Sequence, residues 1–207
     1  MYQSFKKLLF LLLAFLVLQT FNSNAQKSST ELFSKLKKLD VVGSVLYIAA
    51  HPDDENNSFL PFLTNNRLYR TAYLSLTRGD GGQNLLGKEQ GIELGLIRTK
   101  ELLAARQQDG AEQYFSRAYE FGFSKSAEEA LAIWDHQQVL SDAVWVIRKF
   151  QPDIIIARFP PDARAGHGHH SASAQIAREA FIAAADPSQF PEQLTNGVTI
   201  WQAKRLL

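Results

Sequence analysis

Apolar residues along this chain fall into two kinds of pattern. Residues 45–50, 71–76 and 154–159 are short runs with little polar interruption, the signature of strands buried on both faces of a parallel sheet. Between them, apolar positions recur at helical spacing. Leu32, Leu36 and Leu39 mark a helix opened by Thr30 and Glu31. Residues 57–66 read as a second helix whose start is displaced by Pro61, since proline is tolerated only in a first turn. Residues 91–108 form a long helix with Ile92, Leu96 and Leu103 on one stripe and Leu94, Ile97 and Ala104 beside it. Val139, Ala143, Val146, Ile147 and Phe150 place a helix over 137–150. Ala174, Ala177, Phe181 and Ala184 place another over 170–185. Residues 114–118 and 198–202 complete the set as further strands.

Alternating strands and helices predict an α/β fold, a Rossmann-like three-layer sandwich with a mostly parallel central sheet. Residues 1–25 read as a secretory signal, with Lys6 and Lys7 ahead of an apolar stretch and Ser23-Asn24-Ala25 for cleavage. The apolar stretch 8–18 is shorter than the roughly twenty residues that span a bilayer. Residues 26–207 then form one domain, ending abruptly enough to suggest a segment of a longer protein. The expected location is outside the cytoplasm, periplasmic or extracellular. The chain has no cysteine, which excludes a lipoprotein anchor and a disulfide framework and restricts any metal site to nitrogen and oxygen ligands. Losing Lys6 and Lys7 with the leader takes the formal charge from +1 to −1, so nothing points to nucleic acid or an anionic membrane.

Chemistry concentrates where two of the strands end. The first runs into His51-Pro52-Asp53-Asp54-Glu55. The strand over 154–159 is followed by His167-Gly168-His169-His170, which holds three of the five histidines. Parallel strands deliver their following loops to one sheet edge, so His51, Asp54 and a histidine of the second cluster should meet there. Two histidines and a carboxylate suit a divalent metal, zinc first, because catalytic zinc takes three protein ligands and leaves one position open. The same triad also fits non-haem iron oxygenases. Asp53 and His167, next to the ligands, suit acid–base work in hydrolysis. The loop Thr77-Arg78-Gly79-Asp80-Gly81-Gly82 fits neither nucleotide-binding glycine pattern; its glycines let backbone pass close to the site, with Arg78 or Asp80 facing it. Arg98 and Glu101 share a helix face, as an exposed ion pair or a substrate-facing one. Trp134, Trp145 and His136 read as structural, as do Phe121 and Phe123.

Ala-His-Pro-Asp-Asp-Glu after the first strand, with His-x-x-His near the end of the domain, resembles the PIG-L/LmbE-type zinc-dependent N-deacetylases, and the likeness covers about 45–200. The resemblance implies one zinc per chain held by His51, Asp54 and His170. It makes Asp53 the general base and His167 the group that stabilises the tetrahedral intermediate. Arg98, in Arg98-Thr99-Lys100-Glu101, would reach substrate, and Asp80 would lie near the substrate pocket. The second motif departs from the common His-Pro-Asp-His, and the His-x-x-His spacing selects His170 over His169. Near Phe121, Ser124 and Lys125 stand where the family often has an aspartate. The implied reaction is removal of N-acetyl groups from N-acetylglucosamine-type sugars, here cell-envelope or scavenged glycoconjugates. The alternatives are a binding module without turnover and an iron oxygenase.

Overall fold

The computed structural model describes residues 29–207. The expected leader lies outside them. Helix α1, Ser29–Lys38, belongs to a unit that ends at Asp40, and all the rest to a second unit, Val41–Leu207. Lys35, Lys37 and Lys38 occupy the last turn of α1, the end at which a helix dipole favours positive charge.

The second unit is built on strands β1 (Ser44–Ala49), β2 (Arg70–Ser75), β3 (Glu112–Phe115), β4 (Ile154–Ala157) and β5 (Arg205–Leu206). They form one sheet in the order β3-β2-β1-β4-β5, and every pairing is parallel. The connecting helices are α2 (Phe59–Pro61, running on as a π-helical turn through Asn66), α3 (Ile92–Asp109), α4 (Ala127–Trp134), α5 (His136–Phe150), α6 (Gly168–Ala183) and α7 (Pro191–Leu194). The chain steps outward from β1 to β3, then returns to lay β4 on the free side of β1. That reversal opens a crevice between the carboxyl ends of β1 and β4, where ligands bind in sheets of this kind.

Alternation along β1 assigns the layers. Leu46 and Ile48 pack with Ala130, Val139, Ile147 and Ile176 from α4, α5 and α6. Tyr47 and Ala49 face the other way, with Leu60 of α2, Tyr73 of β2 and Leu102 of α3. All six residues of β1 are buried, as a strand covered on both sides must be.

Three sequence expectations need correction. Along α3 the stripe Ile92, Leu96 and Leu103 is exposed, and Leu94 and Leu102 are buried instead. The inward face also carries the buried Arg106, whose guanidinium donates to Asp109 Oδ2 from Nε at 2.9 Å and Nη2 at 2.6 Å; satisfied in this way, a charged pair takes a place that apolar periodicity assigns elsewhere. Residues 198–202 are not a strand, because Trp201 is tied by its indole N–H to the Pro152 carbonyl at 2.7 Å, and the fifth strand forms at Arg205–Leu206. Helix α4 has no counterpart among the expected elements; Ser126 caps it, accepting from the Glu129 amide at 3.3 Å. Helix α2 does start late, at Phe59, with Pro61 in its first turn and Asn56 Oδ1 accepting from the Ser58 and Phe59 amides.

Candidate metal centre

The loop after β1 is a tight turn held by one carboxylate. Asp54 Oδ2 accepts from the backbone amides of Ala50 at 3.1 Å and His51 at 2.7 Å. Tyr73 of the neighbouring strand donates its hydroxyl to the His51 carbonyl. The turn therefore presents the His51 ring from a rigid strand end. After β4 the chain passes through a 3₁₀ turn, Ala163–Ala165, into α6, whose first turn carries His169 and His170.

Because β1 and β4 are neighbours, these two loops meet. His51 Nδ1 lies 3.2 Å from Asp54 Oδ2, and His170 Nε2 lies 3.4 Å from Asp54 Oδ1. His170 Nδ1 sits 3.1 Å from the Ala165 carbonyl; donating there, it keeps the Nε2 lone pair free toward Asp54. Phe159 stacks on the same ring, 3.8 Å between centroids and 7° between planes. Donors bound about 2.0–2.1 Å from a tetrahedral zinc stand roughly 3.3 Å apart. The two separations are close to that length, each histidine meeting a different Asp54 oxygen. One donor atom from each of the three residues lies within 4.8 Å of the others, so His51, Asp54 and His170 could hold a divalent ion such as zinc. His51, His167 and His169 form a second close group of donors.

Adjacent residues in the turn have different surroundings. The Asp54 side chain is 10% exposed; burial would raise its pKa, but contacts with His170 and His51 hold it well below the usual carboxylate range. The Asp53 side chain is 71% exposed and lies 3.4 Å from Arg98 Nη2. Arg98 also lies 3.4 Å from Glu101, so the Arg98–Glu101 pair reaches the edge of the cluster through Asp53. Glu55, the third carboxylate of the motif, turns away toward Arg106 at 3.6 Å.

His167 caps α6, its Nδ1 accepting from the His169 amide at 3.1 Å. Ser124 Oγ is 3.2 Å from the same nitrogen and itself accepts from the His169 amide at 2.8 Å, so its hydroxyl proton is directed at His167. Burial and the neighbouring His169, His51 and His170 rings lower the His167 pKa to about 4. In the metal-free protein it is thus neutral at pH 7 with its proton on Nε2, a hydrogen-bond donor ready for a developing oxyanion.

The two glycine-loop residues expected to face substrate make their contacts outside the histidine cluster. The Asp80 carboxylate packs against Gly95 of α3, where a Cβ would fall 2.0 Å from Oδ1. Arg78 stacks over Phe115 at 4.2 Å and donates to Thr99 at 3.2 Å, facing a groove with Arg117, Asp142 and Trp145. Neither joins the histidine cluster. Of the aromatic loop, Phe121 lies edge-on to His169 at 4.4 Å, whereas Phe123 is exposed. His136 pairs with Glu179 at 2.7 Å, away from the other histidines.

The residue that sequence reasoning missed is Glu120. It is buried, with Oε2 at 2.8 Å from His51 Nε2 and 3.3 Å from His169 Nδ1. Burial opposes its charge, but the His169 and His51 contacts lower its pKa to about 2. Its sole sequence signal is a carboxylate set among Tyr119, Phe121 and Phe123.

Comparison with known proteins follows the same geometry. The family model described as PIG-L, GlcNAc-PI de-N-acetylase, matches residues 46–181. A 1D-myo-inositol 2-acetamido-2-deoxy-alpha-D-glucopyranoside deacetylase of Frankia casuarinae is 29% identical over 181 residues, covering 77% of this chain and 55% of its own length. The chain thus spans about half of that relative. Among solved structures, the N,N'-diacetylchitobiose deacetylase of Pyrococcus horikoshii superposes with TM-score 0.58 at 20% identity, over 87% of this chain and 68% of that one. The 4-carboxy-2-hydroxymuconate hydratase of Pseudomonas putida gives 0.57 at 20%, over 80% and 64%. At these identities both likenesses establish a shared fold.

Proposed function

The chain belongs to the PIG-L family, and from that premise we propose that it is a zinc-dependent hydrolase that removes N-acetyl groups from N-acetylglucosamine-type glycoconjugates. The observation that carries the proposal is the donor set His51, Asp54 and His170, spaced for one zinc ion, beside an exposed carboxylate, Asp53.

His51, Asp54 and His170 would hold the zinc, which supplies a Lewis acid for the amide carbonyl. Asp53, solvent-facing and free of backbone duties, takes a proton from the attacking water. His167 donates from Nε2 to the oxygen that becomes negative as the carbonyl carbon turns tetrahedral. Arg98, 3.4 Å from Asp53, orients it at the lip of the site. Sequence features of residues 1–25 support an exported enzyme, and export favours cell-envelope or scavenged amino sugars as substrates. Among the described residues no helix is long and apolar enough to cross a membrane.

The test is zinc content and acetate release measured together on the purified protein with a panel of N-acetylglucosamine glycosides. One zinc per chain with acetate released is the expected result. Zinc without acetate from any amide would favour a binding module, and activity requiring ferrous iron and dioxygen would favour an oxygenase.

A further inference from the structure

Glu120 has a position that the reaction described above does not explain. Its side chain is 4% exposed, and it approaches the metal-site histidine from the side opposite Asp54. Four restraints fix it. Its Oε1 accepts from the Gly122 amide at 2.7 Å. The preceding Tyr119 carbonyl accepts from the Trp134 indole at 2.8 Å. Its own carbonyl rests against Gly81, where a Cβ would stand 2.5 Å away. His169, which it touches through Nδ1, is stacked on Trp134 at 4.7 Å between ring centroids. The remaining oxygen, Oε2, has no hydrogen-bond partner among the described residues, but it lies 2.8 Å from His51 Nε2 and 3.3 Å from His169 Nδ1, two nitrogens that are themselves hydrogen-bonded at 3.0 Å.

We propose that Glu120, backed by His169, is the positioning residue that fixes the tautomer and orientation of His51 for metal binding; the proposal rests on the metal-site reading above. An imidazole has two nitrogens, and a neutral ring offers a lone pair at only one. Glu120 is acceptor-only when ionised, so the nitrogen facing it must carry the proton. With the Nε2 proton held between His169 Nδ1, its hydrogen-bond partner, and the Glu120 carboxylate beside it, the lone pair belongs to Nδ1, which is the atom that faces Asp54. The buried carboxylate also makes the ring a stronger donor to a cation, the usual effect of a carboxylate behind a metal-ligating histidine. His169 contributes through Nδ1, which is hydrogen-bonded to His51 Nε2 at 3.0 Å and lies 3.3 Å from Oε2.

The test measures metal binding and proton position rather than turnover. In chelator competition, Glu120→Gln should bind zinc 10–100-fold more weakly than the wild type, the usual range for loss of such a partner, while metal-free melting shows that the variant is folded. Wild-type affinity in a folded Glu120→Gln overturns the proposal. Nitrogen NMR of histidine-labelled, zinc-loaded wild type is the second measurement and needs no variant. It should show His51 protonated at Nε2 and metal-bound at Nδ1, and the reverse assignment overturns the proposal even if Glu120→Gln does not fold. Neither readout passes through acetate release. A failure of the deacetylase reading is therefore distinguishable from a failure of this one.

Discussion

Gly168 stands where no side chain fits. A Cβ there would fall 2.3 Å from the Ser126 carbonyl and 2.5 Å from Ser124 Oγ, and its amide donates to the Ser124 carbonyl at 3.0 Å. The glycine lets the start of α6 press against the 124–126 segment, and that contact aims His167 and His169. Gly168→Ala should cost about 1–3 kcal/mol of stability, the usual range for overpacking, read as a lower melting temperature together with weakened zinc binding. Asp53→Asn should behave differently, because Asp53 is exposed. Stability and zinc content should stay at wild-type values while acetate release falls roughly 10²–10⁴-fold, the ordinary worth of a general base; loss of zinc with activity would instead make Asp53 part of the binding site. The sequence pointed to His51, Asp54 and His170 because they stand in two dense clusters of histidine and carboxylate, where residue type and spacing carry the chemistry. Glu120 was not visible in that way, since β3 lies two strands from β1 and its loop must cross the sheet edge past β2 to touch His51.

At the scale of elements, α5 and α6 are joined by one buried cation. Arg148 is 1% exposed, with no carboxylate within ion-pair distance among the described residues. Its guanidinium donates to the carbonyls of Ala183, Ala184, Asp186, Gln189 and Phe190 and to Gln193 Oε1. Those carbonyls belong to the end of α6 and the turn into α7, where helix carbonyls lack intrahelical partners and a positive charge is favoured. Periodicity reads residues 137–150 as an amphipathic helix but says nothing of a charge on its inner side. Arg148→Met keeps much of the volume and removes the only donor, among the described residues, to the Gln189 carbonyl and Gln193 Oε1, while the Ala183, Ala184, Asp186 and Phe190 carbonyls keep a backbone donor. The expected cost is about 1–3 kcal/mol, measurable as a shifted urea midpoint, and no loss at all would mean that water replaces the guanidinium. The exposed stripe of α3 shows the same limit of periodicity. When a helix buries a satisfied pair such as Arg106–Asp109, apolar spacing alone misassigns its inner face.

For the whole molecule, the parallel sheet and its reversal between β1 and β4 put the ionisable groups of the two loops into one crevice, and that placement sets a pH dependence. The alternation of strands and helices made this architecture legible, whereas the strand order that joins the loops rests on pairings that no local pattern records. In the metal-free protein, burial disfavours charge on His51, but its bonds to Asp54 and Glu120 prevail and raise its pKa from 6.5 to about 9. A group that holds its proton more tightly when folded contributes its full stability below pH 6.5, and the contribution is lost as pH rises through about 9. Glu120 has the opposite sign: its contribution is present above pH 4.5 and is lost as pH falls toward about 2. A metal ion at His51 Nδ1 must displace the proton from that atom, so zinc affinity runs against the first trend and rises with pH, by up to about tenfold per unit between roughly 6.5 and 9. Melting curves of metal-free and zinc-loaded protein, recorded in parallel across about pH 6 to 9, separate the two effects. The metal-free midpoint should fall with rising pH while the increment due to zinc widens. An increment that stays constant across that range would show that zinc binds without taking the place of the His51 proton, and His51 would then be a neighbour of the metal rather than its ligand.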